Sequence, residues 1–199
     1  MIRVKTEKEI EIMRQGGRIL SQIMLSLKQL VKPGISTLYL ERKALEFTER
    51  AGVEPAFLGH EGFPAALCAS LNESVVHEVP SSKKILREGD VLKLDFGVKY
   101  KGYYSDMALT VPVGQVDFEA DRLIRATKKA LKVGIKNAKI GNTTGDIGNA
   151  VERYVLSQGF SVVKDLCGHG IGKDLHEDPQ VLNFGKRRKG EKFNILGDK

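Results

Sequence analysis

Two observations predict an α+β fold built from a duplicated unit. First, segment 32–37, KPGIST, resembles segment 139–144, KIGNTT, at an offset of 107 residues. The helices predicted after these segments end with the same spacing, at Gly52 and at Gly159. Second, a helix, a break at Pro or Gly, another helix and a strand occur twice along the chain. Chance similarity between two capped helices is the alternative explanation.

The composition is that of an ordinary globular protein. Of the 199 residues, 41% are hydrophobic and 29% are charged, as in most folded domains. No apolar run reaches the length of a membrane span, and the first residues lack the apolar core of a signal peptide. The two cysteines, Cys68 and Cys167, lie far apart and favour a reducing compartment over a disulfide framework. We therefore expect a cytoplasmic protein that does not enter a membrane.

The net charge of +7 favours anionic surroundings such as RNA. A generic basic surface explains the same charge without a dedicated nucleic-acid site. The densest basic run, at 186–189, has no interleaved aromatic residues on which bases could stack.

The first two helices are predicted from their ends. Thr6 and Glu9 form a capping-box pattern, and apolar residues then recur every three or four positions until the Pro-Gly pair at 33–34. A second helix is predicted from residue 36 or 37 until Gly52.

The remaining elements are shorter and alternate with loops. Segments 65–71 and 75–77 are predicted as strands on either side of a turn, before a long hairpin. After that hairpin, the pattern predicts two more helices and two more strands, over about 118–138, 144–157, 160–166 and 181–184.

The hairpin at 91–111 has a strict alternation of residue types, which predicts a strand with one buried face. Lys101-Gly102 is a two-residue turn signal, and such a turn pairs Tyr100 with Tyr103. A three-residue turn is the alternative, and it would shift the second strand by one position.

The two-residue turn places two carboxylates on the same sheet face. In that register Asp106 lies opposite Gly97 and Asp95 lies opposite Ala108, so the two acids are diagonal neighbours about 7–8 Å apart. Carboxylates this close repel each other, and a divalent cation with oxygen ligands would relieve the repulsion. A turn residue and a solvated strand residue are the alternative explanation of the same acids.

Four histidines complete the set of candidate functional residues. His169 lies among glycines at 168–172, where the backbone can approach a ligand closely, and His176 follows in the same loop-rich segment. His60 in a loop and His77 after two valines are compatible with structural roles. The glycine-flanked histidines together with the aspartate pair favour a metal-dependent hydrolase.

These motifs resemble those of the type I methionine aminopeptidases over residues 1 to about 190. The resemblance is carried by Asn72-Glu73 with His77, by the two aspartates of the hairpin, and by the runs at 168–172 and 175–181. It implies the pita-bread fold, also called the creatinase/aminopeptidase fold, which is a pseudo-twofold duplication. The short N-terminal region is similar to that of the bacterial form.

The resemblance also implies a site with two divalent metal ions, of Co, Mn, Fe or Zn. Asp95, Asp106 and His169 match three of the metal ligands, and His77 and His176 match the catalytic histidines that contact the substrate. The implied methionine pocket and substrate contacts comprise Phe57, His60, Phe63, Cys68, His77 and His176.

The implied activity is removal of the initiator methionine from nascent proteins in the cytoplasm, by a monomer that also contacts the ribosome surface. A non-catalytic pita-bread module that binds N-termini or ribosomal RNA is the alternative function. A proline-directed aminopeptidase of the same fold is disfavoured by the short N-terminal region and by the methionine-pocket residues.

Two glutamate ligands implied by the resemblance have no counterpart in this sequence. The repeat likewise places a second hairpin near 198–218, whereas the sequence has 199 residues. We therefore expect one domain, 1–199, with repeat halves of about 1–114 and 115–199, the second incomplete. We also expect weak metal binding and doubtful activity.

Overall fold

The computed structural model describes residues 2–194, which form two compact units. The first unit contains Lys5–Ala120 together with Ile171–Leu175. The second contains Asp121–Gly170 together with residues 2–4 and 176–194. Within the described residues, every helix is too short or too polar to span a lipid bilayer. The predicted single domain with two repeat halves stays a prediction.

The first unit begins with two capped helices. Helix α1, Glu7–Leu30, starts at the predicted capping box, in which Thr6 and Glu9 satisfy each other's backbone N–H groups. Helix α2, Thr37–Ala51, is capped at its start by Ser36 and ends at Gly52, whose φ of 65° is in the left-handed region that glycine tolerates. Both helices agree with the prediction from sequence.

A four-stranded antiparallel sheet follows these helices. Its central strand is β3, and it pairs with β4 along one edge and with β2 and β1 along the other. The two-residue turn between β3 and β4 uses the left-handed residues Lys101 and Gly102. The strands are β1 (Glu54–Pro55), β2 (Leu67–Leu71), β3 (Val91–Tyr100) and β4 (Tyr103–Pro112).

The core of the first unit lies between the two helices and one face of this sheet. Alternate residues of β3 supply that face and are fully buried, namely Leu92, Leu94, Phe96 and Val98. Buried apolar residues of α1 and α2 pack against them, including Leu20, Met24, Leu27 and Leu40. Removal of this apolar surface from water is the main stabilising term of the unit. The opposite face of β3 is left for the candidate site.

The second unit contains two helices and a two-stranded sheet. Helix α3 is Phe118–Asn137, and helix α4 is Thr144–Ser157 with a capping box between Thr143 and Asp146. Strands β5 (Cys167–Gly170) and β6 (Glu177–Leu182) are antiparallel, with a register irregularity after His169.

Two predicted strands are wrong. Segment 75–77 is not a strand, because His77 has a φ of 58° that breaks an extended backbone. Segment 160–166 is also irregular, and strand pairing starts only at Cys167. Of its apolar residues, Val162 packs against the small core around Ile147 instead, whereas Val163 and Leu166 are exposed. The last strand lies earlier than predicted, at Glu177–Leu182 rather than 181–184.

The duplication is visible in the hydrogen bonds within each unit. The isolated antiparallel bridge between Ser36 and Ile85 has a counterpart between Thr143 and Lys192, and both positions differ by 107 residues. Three hydrogen bonds are repeated at this offset. Gly34 N donates to Leu86 O, and Gly141 N donates to Phe193 O. Leu86 N donates to Ile35 O, and Phe193 N donates to Asn142 O. Thr37 N donates to Lys84 O, and Thr144 N donates to Glu191 O. The two copies of the repeat, 107 residues apart, therefore form the same backbone hydrogen bonds.

Candidate metal centre and substrate pocket

The two aspartates of the hairpin lie on the same sheet face. Asp106 pairs with Gly97 and Asp95 pairs with Ala108, which is the register predicted from the two-residue turn. The two carboxyl groups are close enough to share a hydrogen bond. Burial, together with repulsion from the neighbouring Asp106, raises the pKa of Asp95 to about 7. Below about pH 7, a proton therefore keeps this pair from carrying two negative charges.

This carboxylate pair fits a divalent cation. A cation that binds hard oxygen ligands would replace the shared proton and neutralise both carboxylates at once. Among residues 2–194, no group of three or more His, Cys, Asp or Glu side chains is placed as a metal-ligand cluster. The pair itself thus supplies two candidate ligands from the first unit.

An apolar cluster lies beside the carboxylate pair. Its buried members are Ala56, Phe57, Cys68 and Leu175, and the partly buried residues packed against them are Phe63, Tyr104 and Ile171. Cys68 pairs directly with Asp95 across β2 and β3, so their side chains leave the sheet on the same face. Burial and the charge of Asp95 raise the pKa of the Cys68 thiol to about 12. The thiol therefore stays neutral and forms part of an apolar wall.

Gly97 makes room for this cluster. A Cβ atom at Gly97 would lie 2.8 Å from a ring carbon of Phe57 and 2.9 Å from the Ala56 methyl. A glycine inside a strand often marks such a close approach. We expect Gly97→Ala to lower the free energy of unfolding by about 1–3 kcal/mol, because the ring and the adjacent backbone must move. Urea denaturation measures this change.

The matched control is the same substitution at Gly17, on helix α1, where an added Cβ meets no atom within 4 Å. Gly17→Ala should stabilise the protein by about 0.5–1 kcal/mol, because alanine is the better helix former. Equal effects of the two substitutions would contradict the close packing of Phe57.

Two further predicted residues lie in the same unit. His60 begins the short 3-10 helix His60–Gly62. The backbone of His77 makes a hydrogen bond with the Cys68 thiol, so this residue borders the apolar cluster. The His77 side chain is exposed. The substrate-binding role of both histidines and the catalytic role of His77 stay predictions.

The second unit brings His169 and His176 together. Their rings meet edge to face, with centroids 4.4 Å apart and an interplanar angle of 82°. The His169 Nδ1 atom lies 2.8 Å from the Gly170 carbonyl oxygen. Since a carbonyl only accepts, Nδ1 carries the proton and Nε2 presents a lone pair, the arrangement typical of a metal-binding histidine. Their roles also stay predictions.

Sequence reasoning missed Glu41, which holds strand β2 in place. This carboxylate is 7% exposed and accepts hydrogen bonds from the backbone N–H groups of Ala66 and Leu67, both at 2.8 Å. It thereby ties α2 to the start of β2, directly before Cys68. A lone glutamate in an amphipathic helix gives no sequence signal for this contact. Leu175 and Tyr104 were also missed, because only the folded chain brings them to Phe57.

An α+β fold with an aspartate pair beside an apolar cluster fits the class of metal-dependent hydrolases. The sequence profile of Metallopeptidase family M24 matches residues 11–195, and the chain belongs to this family. The resemblance stated from the motifs is thus confirmed, and the family implies divalent metal cofactors.

Individual relatives support the same assignment. A methionine aminopeptidase of Clostridium perfringens is 46% identical over 97% of this chain and 77% of its own length. The crystal structure of a methionine aminopeptidase from Thermotoga maritima matches with a TM-score of 0.96 and 38% identity, covering 98% of this chain and 79% of that one. An X-Pro aminopeptidase from the same organism matches at 22% identity with a TM-score of 0.78, which shows the shared fold. The predicted pita-bread fold is confirmed by these neighbours.

Proposed function

We propose that this protein is an aminopeptidase that removes the initiator methionine from nascent proteins in the cytoplasm. The observation that carries the proposal is the carboxylate pair of Asp95 and Asp106 on the same sheet face as the cluster around Phe57 and Cys68. A charged centre beside an apolar pocket suits a substrate with a free amino terminus and a thioether side chain.

In this proposal, Asp95, Asp106 and His169 hold the divalent metal, with two ions of Co, Mn, Fe or Zn in the complete site. When bound, the metal supplies Lewis-acid activation of a water and of the scissile carbonyl. The two carboxylates bind the metal after they lose their shared proton, so both carry negative charge. His169 binds through a neutral ring nitrogen, because its other ring nitrogen holds the proton.

The remaining residues bind and orient the substrate. Phe57, Phe63 and Cys68 surround the methionine side chain and exclude water from it. His176 donates a hydrogen bond to the oxygen that becomes negatively charged during attack, and His77 lies beside the scissile amide. His60 completes the rim of the pocket.

The protein is proposed to act as a monomer on methionyl peptides as they leave the ribosome, with its positive charge favouring the ribosome surface. The net charge of +7 supports this contact because ribosomal RNA is a polyanion.

The test is release of methionine from a Met-Ala-Ser tripeptide after chelation and re-addition of Co²⁺, Mn²⁺, Fe²⁺ or Zn²⁺. We expect cleavage only with metal and only of a peptide with a free amino group. An acetylated tripeptide is the control for that requirement, and Gly-Pro tests a proline-directed activity. Metal-independent binding of the peptide without any cleavage would instead support the non-catalytic module.

A further inference from the structure

A second candidate site lies in the second unit, at the first turns of α4. A cavity of about 260 Å³ opens there, and its walls are mostly polar. The side chains that line it include Asn137, Lys139, Asn142, Asp146, Asn149, Arg153 and Arg187. None of these residues belongs to the proposed metal centre or to the methionine pocket.

The charge in this cavity is positive. Three cations, Lys139, Arg153 and Arg187, line it together with a single carboxylate, Asp146, which pairs with Arg187 at 3.7 Å. That carboxylate is already engaged, because it accepts hydrogen bonds from Thr143 in the capping box and from a backbone N–H of the neighbouring loop. Within the described part of the chain, neither Lys139 nor Arg153 forms a side-chain ion pair. The cavity therefore has cationic donors to offer to a ligand.

The basic loop at its rim is held in a fixed position. Gly145 N donates to Lys189 O at 2.9 Å, and Arg188 N donates to Asp146 Oδ1 at 3.2 Å. The run Lys186 to Lys189 is thus attached to the first turn of α4 by its backbone, which leaves the other three side chains exposed while Arg187 pairs with Asp146. Such preorganisation reduces the entropy that is lost when a ligand binds.

The first copy of the repeat provides an internal comparison. At the offset of 107, Arg153 corresponds to Glu46, which forms ion pairs with Lys43 and Arg50, both at 2.6 Å. Glu46 is therefore neutralised by its neighbours in the first copy, whose Lys32 and Arg42 correspond to Lys139 and Asn149. A cation at the position of Arg153 is thus a property of the second copy alone, so duplication of the fold does not explain it.

We propose that this cavity binds a phosphate group, presented either by a nucleotide or by the backbone of an RNA strand. Guanidinium groups match phosphate oxygens with paired donors, and a lysine adds a point charge. The volume lies just below the range of about 300–1,000 Å³ for complete small-ligand pockets. It therefore suits one phosphate with its sugar, while the rest of a larger ligand lies along the basic loop.

The test compares two double variants of the 199-residue chain without added metal. Lys139→Gln with Arg153→Gln removes two cavity charges. Lys32→Gln with Arg42→Gln removes two charges from the equivalent region of the first copy, so the net charge falls equally. Fluorescence anisotropy measures binding of fluorescein-labelled decaadenylate, and inorganic phosphate, adenosine monophosphate or chloride at equal ionic strength compete for it. Thermal melts establish that each variant is folded.

We expect the cavity variant to bind decaadenylate at least tenfold more weakly, and the control variant to change less than threefold. Phosphate and adenosine monophosphate should displace the label from the unaltered chain better than chloride, and should lose that advantage in the cavity variant. Adenosine monophosphate that binds as tightly as the oligonucleotide identifies a nucleotide ligand, whereas much weaker binding identifies an RNA backbone. Equal losses in the two variants, or no advantage of phosphate over chloride, would overturn the proposal. Because no metal or cleavage is involved, this result is independent of the proposed peptidase activity.

Discussion

Replacing Asp95 with asparagine should remove the peptidase activity and at the same time stabilise the metal-free protein. In the proposed site Asp95 binds the metal directly, so the activity should fall more than about a hundredfold, because a direct ligand contributes more than the residues that only orient ligands. The stability should rise because an asparagine amide can donate to Asp106 and carries no charge to repel it. The free energy of unfolding should rise by about 2 kcal/mol at pH 8. This is less than the full pKa shift would give, because water screens the partly accessible pair.

The sign of the pH dependence follows from the raised pKa. Asp95 has an ordinary pKa of 3.8 in the unfolded chain and one of about 7 in the folded chain. The folded protein therefore binds the proton more tightly, and the stability of the unaltered protein falls as pH rises from about 4 to about 7. The advantage of Asp95→Asn should be absent near pH 4 and complete near pH 8.

Urea denaturation with a chelator, at pH 4, 6 and 8, measures this difference. Asp165→Asn removes the same charge from an exposed position in a loop, and it should change stability by less than about 0.5 kcal/mol at each pH. If Asp95→Asn is no more stable than the unaltered chain at pH 8, the two carboxylates do not repel each other as described.

Replacing Glu41 with alanine should be among the most destabilising changes in the first unit. Two buried backbone N–H groups, of Ala66 and Leu67, would lose their common acceptor. Each unsatisfied donor costs about 1–3 kcal/mol, so the free energy of unfolding should fall by about 3–5 kcal/mol. Glu41→Gln keeps one amide oxygen as an acceptor and should cost about half as much.

Glu49→Ala is the matched control, because Glu49 lies on the same helix with its side chain exposed. We expect it to change stability by less than about 0.5 kcal/mol. Chemical denaturation of the three variants gives the comparison, and hydrogen exchange locates the effect. Faster exchange should concentrate at the start of β2. A loss for Glu41→Ala no larger than that for Glu49→Ala would exclude the anchoring role.

The features that could be predicted from sequence are those set by local rules. A two-residue turn at Lys101-Gly102 fixes the register of the hairpin, so the positions of Asp95 and Asp106 follow from counting residues. Helix ends follow in the same way, because capping residues such as Thr6 satisfy the first N–H groups of the helix.

The features that could not be predicted depend on contacts between distant parts of the chain. Segment 160–166 has the apolar composition of a strand, but Val162 packs against the core around Ile147 and the segment does not join a ladder. Glu41 resembles any surface glutamate until Ala66 and Leu67 fold beneath it. Sequence periodicity records which face of an element is apolar, and it contains no information about which distant element covers that face.

The segment Ile171–Leu175 has a consequence for the order of events during synthesis. These five residues belong to the first unit although the chain on either side belongs to the second. Gly172 O accepts a hydrogen bond from Tyr104 N at 2.8 Å, and Leu175 fills the cluster around Phe57. A ribosome releases the chain from its N-terminus, so residues 5–120 emerge long before these contacts can form. The apolar cluster around Phe57 is therefore completed late, and a nascent copy of this protein cannot complete it until residue 175 has left the ribosome.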